Sequence, residues 1–186
     1  MSSLNPTPTA VAETLLAMIS APWPTTAQES EDWLREHGID PGTATERDPR
    51  GAGRAWDRAR MADWGTADVG WGTFREEFVG VHWFLWRGAS SEDVMAGAHS
   101  LVDLLTQTQG PAADASESPL HGGTWLWLLP GHVIEAYAYH GLPRPDGFPA
   151  GDACVQLHLG HRERSEAQER EARARDAQRE HGPAGQ

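Results

Sequence analysis

The stretch Thr124–His140, TWLWLLPGHVIEAYAYH, constrains the fold more than any other part of the chain. Side chains alternate in type on both sides of Pro130-Gly131, which is the pattern of two β-strands joined by a tight turn. Two of the nine tryptophans and both tyrosines of the chain lie within this stretch. It therefore predicts an aromatic β-hairpin that serves as core, as a binding face or as the wall of an active site.

Four other segments alternate in the same way and predict β-strands: 53–60, 66–73, 78–87 and 153–160. In the segment 78–87 both alternating sets are largely apolar, which is typical of a central strand covered on both sides. Residues 110–123 are rich in Gly, Pro, Ser and Asp, and they predict a flexible surface loop. With the hairpin, these segments predict one antiparallel sheet of about five to six strands.

Three segments, 10–20, 26–37 and 90–109, have apolar residues at the spacing of helices that pack on a sheet. The helix 26–37 has the clearest start, because Thr26 and Glu29 have the spacing of a capping box. Helices packed on an antiparallel sheet form an α+β domain. The predicted fold class is therefore α+β, an antiparallel sheet with helices packed on it.

Residues 162–180 contain Glu and Arg at i,i+4 spacing and have no apolar face beyond four alanines. They predict a polar C-terminal helix that projects from the domain, or a partly ordered tail. We therefore divide the chain into an N-terminal helix and Pro-rich linker at 1–24, a single α+β domain at 25–161, and a charged C-terminal helix and tail at 162–186. Within the domain, the Pro- and Gly-rich segment 141–152 predicts a long loop.

The net charge of the chain is −12, and its position is informative. Residues 1–161 contain 21 acidic residues and 9 arginines, whereas residues 162–186 contain six of each. A folded body with this surplus repels phosphate backbones and steers a basic protein toward itself. We therefore expect no nucleic-acid partner; solubility alone also explains a surplus of this kind.

The single cysteine, Cys154, excludes an internal disulfide bond, and a buried structural role is the usual one for such a residue. The first ten residues lack the basic start and apolar run of a signal peptide, and no apolar run is long enough to cross a membrane. We expect a cytoplasmic protein with no membrane partner.

Phosphate-binding loops, dinucleotide-binding glycine motifs and the GxSxG motif of serine hydrolases do not occur in the sequence. His158 and His161 are the best-spaced metal-ligand pair, but no third ligand stands at zinc spacing, so we expect no metal and no cofactor. Glu135, with His132 and His140 near it in sequence, is the best candidate for a perturbed acid or base. If the strand alternation points Glu135 to solvent, it has no such role.

The aromatic residues have two interpretations. They form the core, or those left uncovered by helices form a docking patch, because Trp and Tyr dominate the hot spots of protein interfaces. The candidate residues for protein binding are Trp86, Trp125, Trp127, Tyr137, Tyr139 and Glu135.

The order of elements over residues 25–180 resembles the type III secretion chaperone-like architecture, in which an antiparallel sheet with flanking helices binds protein partners. The phrases APWPTTAQESEDWLREHGI (21–39), TWLWLLPGHVIEAYAYHG (124–141) and ACVQLHL (153–159) are similar to those of small bacterial proteins, some of them immunity partners of secreted polymorphic toxins. The resemblance implies a non-catalytic protein that covers its target and identifies no catalytic residues.

These observations predict a non-catalytic protein-binding module, an immunity protein or a secretion-type chaperone, whose partner is a basic toxin or a secreted effector. The alternative is a small hydrolase-like enzyme that uses Glu135 with His132 and His140. Self-association into a homodimer, through a strand edge or an open sheet face, is a third hypothesis.

Overall fold

The computed structural model of the chain describes residues 4–44, 53–65, 68–118, 122–141 and 152–180. The α-helices in these ranges are α1 (Pro8–Ser20), α2 (Ala27–Glu36), α3 (Ser91–Gln109) and α4 (Arg162–Glu180). The strands are β1 (Ile39–Asp40), β2 (Thr43–Ala44), β3 (Gly53–Met61), β4 (Asp68–Phe74), β5 (Glu77–Leu85), β6 (Asp114–Ser118), β7 (Gly122–Leu128), β8 (His132–Tyr139) and β9 (Cys154–His161). A 3-10 turn, Ala62–Trp64, follows β3. The α+β class is confirmed.

All strand pairs are antiparallel and belong to one sheet. Eight strands lie in the order β1-β3-β4-β5-β9-β8-β7-β6, and the short β2 also pairs with β3. Two meanders, β3-β4-β5 and β6-β7-β8-β9, come before and after α3 in the chain. They join where β5 pairs with β9, so these two strands are central.

The predicted count of five to six strands is wrong. The region 110–123, predicted as a loop, contains β6, which pairs along its whole length with β7. Its sequence, DASES, is exposed or half-exposed at the sheet edge, so backbone pairing holds the strand without burial of side chains. Two further short strands, β1 and β2, pair with β3. The polar sequence of β6 and the two-residue length of β1 and β2 leave no alternating hydrophobic pattern by which these strands could be predicted.

The hydrophobic core lies between the sheet and the helices α1, α2 and α3. Its largest fully buried side chains include Trp71, Trp83, Trp127, Phe78 and Leu101. Three buried indole N–H groups donate to backbone carbonyls outside the regular elements. Trp71 donates to Pro41 O at 2.8 Å, Trp86 to Pro6 O at 2.7 Å, and Trp127 to Gly110 O at 3.1 Å. Connecting segments therefore complete the core, because a buried N–H without a partner is costly.

The terminal helices are packed against the domain. Val11, Leu15 and Met18 of α1 are buried in the same core as the sheet, so residues 1–24 include part of that core. The helix α4 lies on the other face of the sheet and does not project from it. Arg164 of α4 donates through Nη1 to Pro24 O and to Phe78 O, both at 2.9 Å.

A second contact of α4 reaches the turn between β4 and β5. The Arg75 guanidinium pairs with the Glu171 carboxylate at 3.0 Å. Arg75 and Glu76 form this two-residue turn with φ values of 53° and 66°, the left-handed conformation that a tight hairpin requires. A polar helix can therefore lie along the sheet by means of arginine contacts, although it has no apolar stripe.

Other local predictions are confirmed. The side chain of Thr26 accepts from Glu29 N, and the carboxylate of Glu29 accepts from Thr26 N, which completes the capping box of α2. The predicted loop 141–152 lies outside the described residues except at its two ends. Within the described residues no helix is both long and apolar enough to cross a membrane.

Two leucines on opposite faces of the sheet differ in burial, and the cost of truncating each side chain should differ accordingly. Leu157 in β9 is fully buried, whereas Leu128 in β7 is 46% exposed. We expect Leu157→Ala to lower the free energy of unfolding by about 2–5 kcal/mol, because it removes buried contacts and leaves a cavity. Leu128→Ala should cost less than about 1 kcal/mol. Urea unfolding followed by tryptophan fluorescence checks both values, and equal costs would contradict the assignment of the two faces.

Candidate functional site

One face of the sheet lies outside the hydrophobic core. Helices α1, α2 and α3 cover the core face, and α4 crosses only part of the opposite face, which we call the open face. Strand register places its side chains in rows that run across the sheet. The first row is Leu128, Val133, Gly160, Gly80, Gly72 and Ala55; the second is Asp114, Leu126, Glu135, His158, His82 and Gly70; the third is Ser116, Thr124, Tyr137, Gln156, Phe84 and Asp68.

The glycines of the first row form the floor of a cleft beneath α4. A Cβ added to Gly160 would lie 2.8 Å from Ser165 Oγ of α4, and one added to Gly80 would lie 2.4 Å from Leu159 O. Both positions therefore need the bare backbone for α4 and the strands to approach so closely. The cleft has a volume of about 520 Å³, within the usual range for ligand sites.

The second row brings a carboxylate and two imidazoles together on the cleft wall. Glu135 is the cross-strand neighbour of His158, which in turn neighbours His82. The two imidazole rings are stacked, with centroids 5.4 Å apart and planes 25° apart. Burial, together with the nearby His82, lowers the pKa of His158 to about 4, so His158 is neutral at physiological pH.

Polar contacts continue from His158 along the open face. Gln156 Nε2 lies 2.7 Å from His158 Nε2, and an amide can only donate there, so the neutral imidazole accepts. Tyr139 OH donates to Gln156 Oε1 at 3.3 Å. The amide of Gln156 thus fixes the tautomer of His158, with its proton on Nδ1.

Glu135 is the perturbed acid that the sequence indicated. Burial raises its pKa, and the negative charge of Glu169 on α4 raises it further, although a hydrogen bond from Tyr137 opposes the shift. Burial also raises the pKa of Tyr137, and so does the neighbouring Glu135. Ionisation of Glu135 therefore costs free energy, because the group is partly buried and the carboxylate of Glu169 lies nearby.

The far end of the open face contains the remaining reactive groups. Arg87 pairs with Asp68, and its guanidinium lies 4.5 Å from the centroid of the Phe84 ring. Cys154 is buried, and burial raises the pKa of its thiol. A protonated, buried thiol is a poor nucleophile, so Cys154 acts as packing.

The predicted protein-binding residues divide between the two faces. Trp86, Trp125 and Trp127 are 4%, 5% and 1% exposed. These three side chains lie in the core and present almost no surface to a partner. Tyr137, Tyr139 and Glu135 lie on the open face, where they are accessible.

The predicted catalytic trio of Glu135, His132 and His140 is not assembled. His132 is an odd number of residues from Glu135 in the same strand and therefore points to the opposite face, where it packs on the ring of Trp23 with centroids 5.1 Å apart. His140 lies beyond the end of β8 and pairs through Nδ1 with Ser91 Oγ at 2.8 Å. The histidine that Glu135 meets is His158, which comes from a strand distant in sequence.

No family model, curated protein or solved structure matches the chain. Among the residues that the structure describes, no group of three or more His, Cys, Asp or Glu side chains could hold a metal ion.

The lowered pKa of His158 makes stability depend on pH. The unfolded imidazole binds a proton near pH 6.5 and the folded one only near pH 4, so stability is lost as the pH falls through this window. We expect the free energy of unfolding of the wild-type protein to fall by on the order of 2 kcal/mol between pH 7 and pH 4.5 because of His158. In His158→Gln this part of the fall should be absent. Urea unfolding at both pH values checks this, and parallel losses in the two proteins would contradict it.

The raised pKa of Glu135 makes stability depend on pH in the direction opposite to that for His158, because the folded state disfavours the charged carboxylate. We expect Glu135→Gln to raise the free energy of unfolding at pH 7 by up to about 1 kcal/mol, since the group is only half-buried and partly screened. The gain should disappear near pH 4, where the carboxyl group is protonated in both states. Thermal unfolding of the two proteins at both pH values measures it, and a loss of stability at pH 7 would show that the carboxylate is structural.

Proposed function

We propose that the chain is a non-catalytic protein-binding module that covers a basic partner with its open face. The observation that supports this most is the uncovered part of that face over β7 and β8. Among the described residues, the two exposed large hydrophobic side chains are Leu128, 46% exposed, and Tyr139, 40% exposed. Both belong to this surface, which we call the β7–β8 patch: Thr124, Leu126, Leu128, Tyr137 and Tyr139.

The composition of the β7–β8 patch suits a protein interface. Tyrosine contributes large contact area with little loss of conformational freedom, and it is enriched at binding hot spots. The edge strand β6 beside the patch is short and polar, with Asp114 opposite Leu126. An apolar strip with acidic residues beside it is the usual arrangement of an interface core and its rim.

Charge supports a basic partner. The surplus of 21 acidic residues over 9 arginines in residues 1–161 steers a basic protein toward this body. Glu135 and Asp68 lie on the open face itself, and Arg87 pairs with Asp68 but not with Glu135. An immunity-type or chaperone-type role, in which the module blocks or escorts its target by covering it, is consistent with this complementarity.

A second candidate function is acid–base catalysis in the cleft. The observation that favours it is the raised pKa of Glu135 beside a neutral imidazole, His158, which could exchange protons with a substrate. A catalyst would lose its turnover in Glu135→Gln. A binding module that uses the β7–β8 patch would lose affinity when Leu128 is changed.

Site-specific photocrosslinking tests the binding proposal. A photoreactive amino acid is placed at Leu128, at Tyr139 and, as a control, at Gln107, which is exposed on α3 on the other side of the molecule. In cells that naturally contain the chain, we expect one basic protein to crosslink from both open-face positions and not from position 107. Equal crosslinking from all three positions, or an acidic partner, would contradict the proposal.

With the purified partner, Leu128→Asp should weaken binding about tenfold or more, because it places a charge in the apolar strip. The matched change Gln107→Asp should leave the dissociation constant unchanged. Isothermal titration calorimetry measures both variants, and added salt should weaken the wild-type complex. Equal affinities of the two variants would overturn the assignment of the binding surface.

A further inference from the structure

The cleft beneath α4 has a distinct chemical character. Its wall contributes Glu135, His82 and His158, and α4 contributes Ser165, Gln168 and Glu169. Among the described side chains that line it, there is no arginine. The cleft therefore combines carboxylates, neutral polar groups and bare backbone.

Among the described residues that line the cleft, the charged side chains are the carboxylates of Glu135 and Glu169. Glu169 pairs with Arg173 on the outer side of α4 at 3.0 Å, yet its charge still raises the pKa of Glu135. Glu135 itself accepts a hydrogen bond from Tyr137, which supplies no positive charge. His158 cannot compensate, because it is neutral and its Nε2 already accepts from Gln156.

The cleft also has room for an extended, flexible group. The glycines in its floor, Gly72, Gly80 and Gly160, belong to the neighbouring strands β4, β5 and β9 and place no side chains of their own in the cleft. Val133 adds an apolar surface beside Glu135. A long aliphatic stem can lie along such a floor while its charged end reaches the carboxylates.

We infer that this cleft binds the guanidinium or ammonium group of an arginine or lysine side chain, which the partner inserts beneath α4. Glu135 and Glu169 would pair with the cation. The Ser165 hydroxyl and the amide oxygen of Gln168 would accept its remaining N–H groups, because a buried cation needs all of its donors satisfied. An anion would be repelled by the same two carboxylates. The inference rests on the proposed function and specifies the chemistry of the contact.

Titration of the full chain with single-residue probes tests the inference without the partner. N-acetyl-arginine amide should shift the backbone amide signals of Gly160 and Ser165 in ¹⁵N-correlated NMR spectra, with a roughly millimolar dissociation constant. N-acetyl-citrulline amide, a neutral group of nearly the same shape, should bind at least tenfold more weakly. Equal binding of the two probes would overturn the inference, and so would shifts confined to residues outside the cleft.

Matched variants test whether the carboxylates of Glu135 and Glu169 bind the cationic probe. The double change Glu135→Gln with Glu169→Gln should weaken binding of the arginine probe at least tenfold. Glu163→Gln should leave it unchanged, since Glu163 is exposed on the same helix but does not line the cleft. The free energy of unfolding confirms that each variant is folded. An arginine probe that binds the double variant as well as the wild type would overturn the inference.

A third probe separates a protein side chain from a free organic cation. If spermidine binds at least tenfold more tightly than N-acetyl-arginine amide, the ligand is a free polyamine, and the assignment to a partner's side chain is overturned. Failure of these titrations leaves the crosslinking at Leu128 and Tyr139 unaffected. Failure of that crosslinking is observed separately, so the two proposals can fail independently.

Discussion

The antiparallel pairing of β5 with β9 is the interaction on which the rest of the structure depends. It joins residues 80–85 to residues 155–160, so it closes a long stretch of chain at a high cost in conformational entropy. The core side chains of both strands offset that cost, because Trp83 and Leu157 are neighbours in the register and fully buried. The same register sets His82 beside His158 on the opposite face. One pairing therefore builds both the core and the candidate site.

The two faces of the sheet differ in how their polar groups are satisfied. On the core face, buried indoles such as Trp71 and Trp127 donate to backbone carbonyls outside the regular elements, which fixes those segments against the domain. On the open face, polar side chains such as Tyr139, Gln156 and His158 bond to one another, and Glu135 carries a charge that nothing in the described cleft neutralises. Uncompensated charge of this kind lowers stability and is typical of sites that bind a ligand.

Local sequence signals predict the elements well, because caps, breakers and alternation are properties of short segments. The capping box of α2, the hairpin of β7 and β8 and the extent of α4 along the chain all follow from residues close together in sequence, whereas the packing of α4 on the sheet does not. Alternation also places Tyr137 and Glu135 on one face, and the same rule places His132 on the other, so the wrong choice of histidine could have been avoided. By contrast, the neighbour of Glu135 depends on the pairing of β8 with β9, across a segment rich in Pro and Gly that carries no register signal. The burial of Trp86 was also out of reach, since it depends on contact with the N-terminal segment at Pro6.

Two of the contacts that hold α4 on the sheet, those of Arg164 and of Glu171, differ in their exposure to solvent. Arg164, near its start, is 17% exposed and bonds to two backbone carbonyls, whereas the Arg75 side chain that reaches Glu171 is 68% exposed. Solvent and dissolved ions screen the second contact far more than the first. Rising ionic strength should therefore weaken the contact of Glu171 with Arg75 before it weakens the contacts of Arg164. The cover that α4 provides over the cleft is therefore more sensitive to salt on the side of the β4–β5 turn than at the start of the helix.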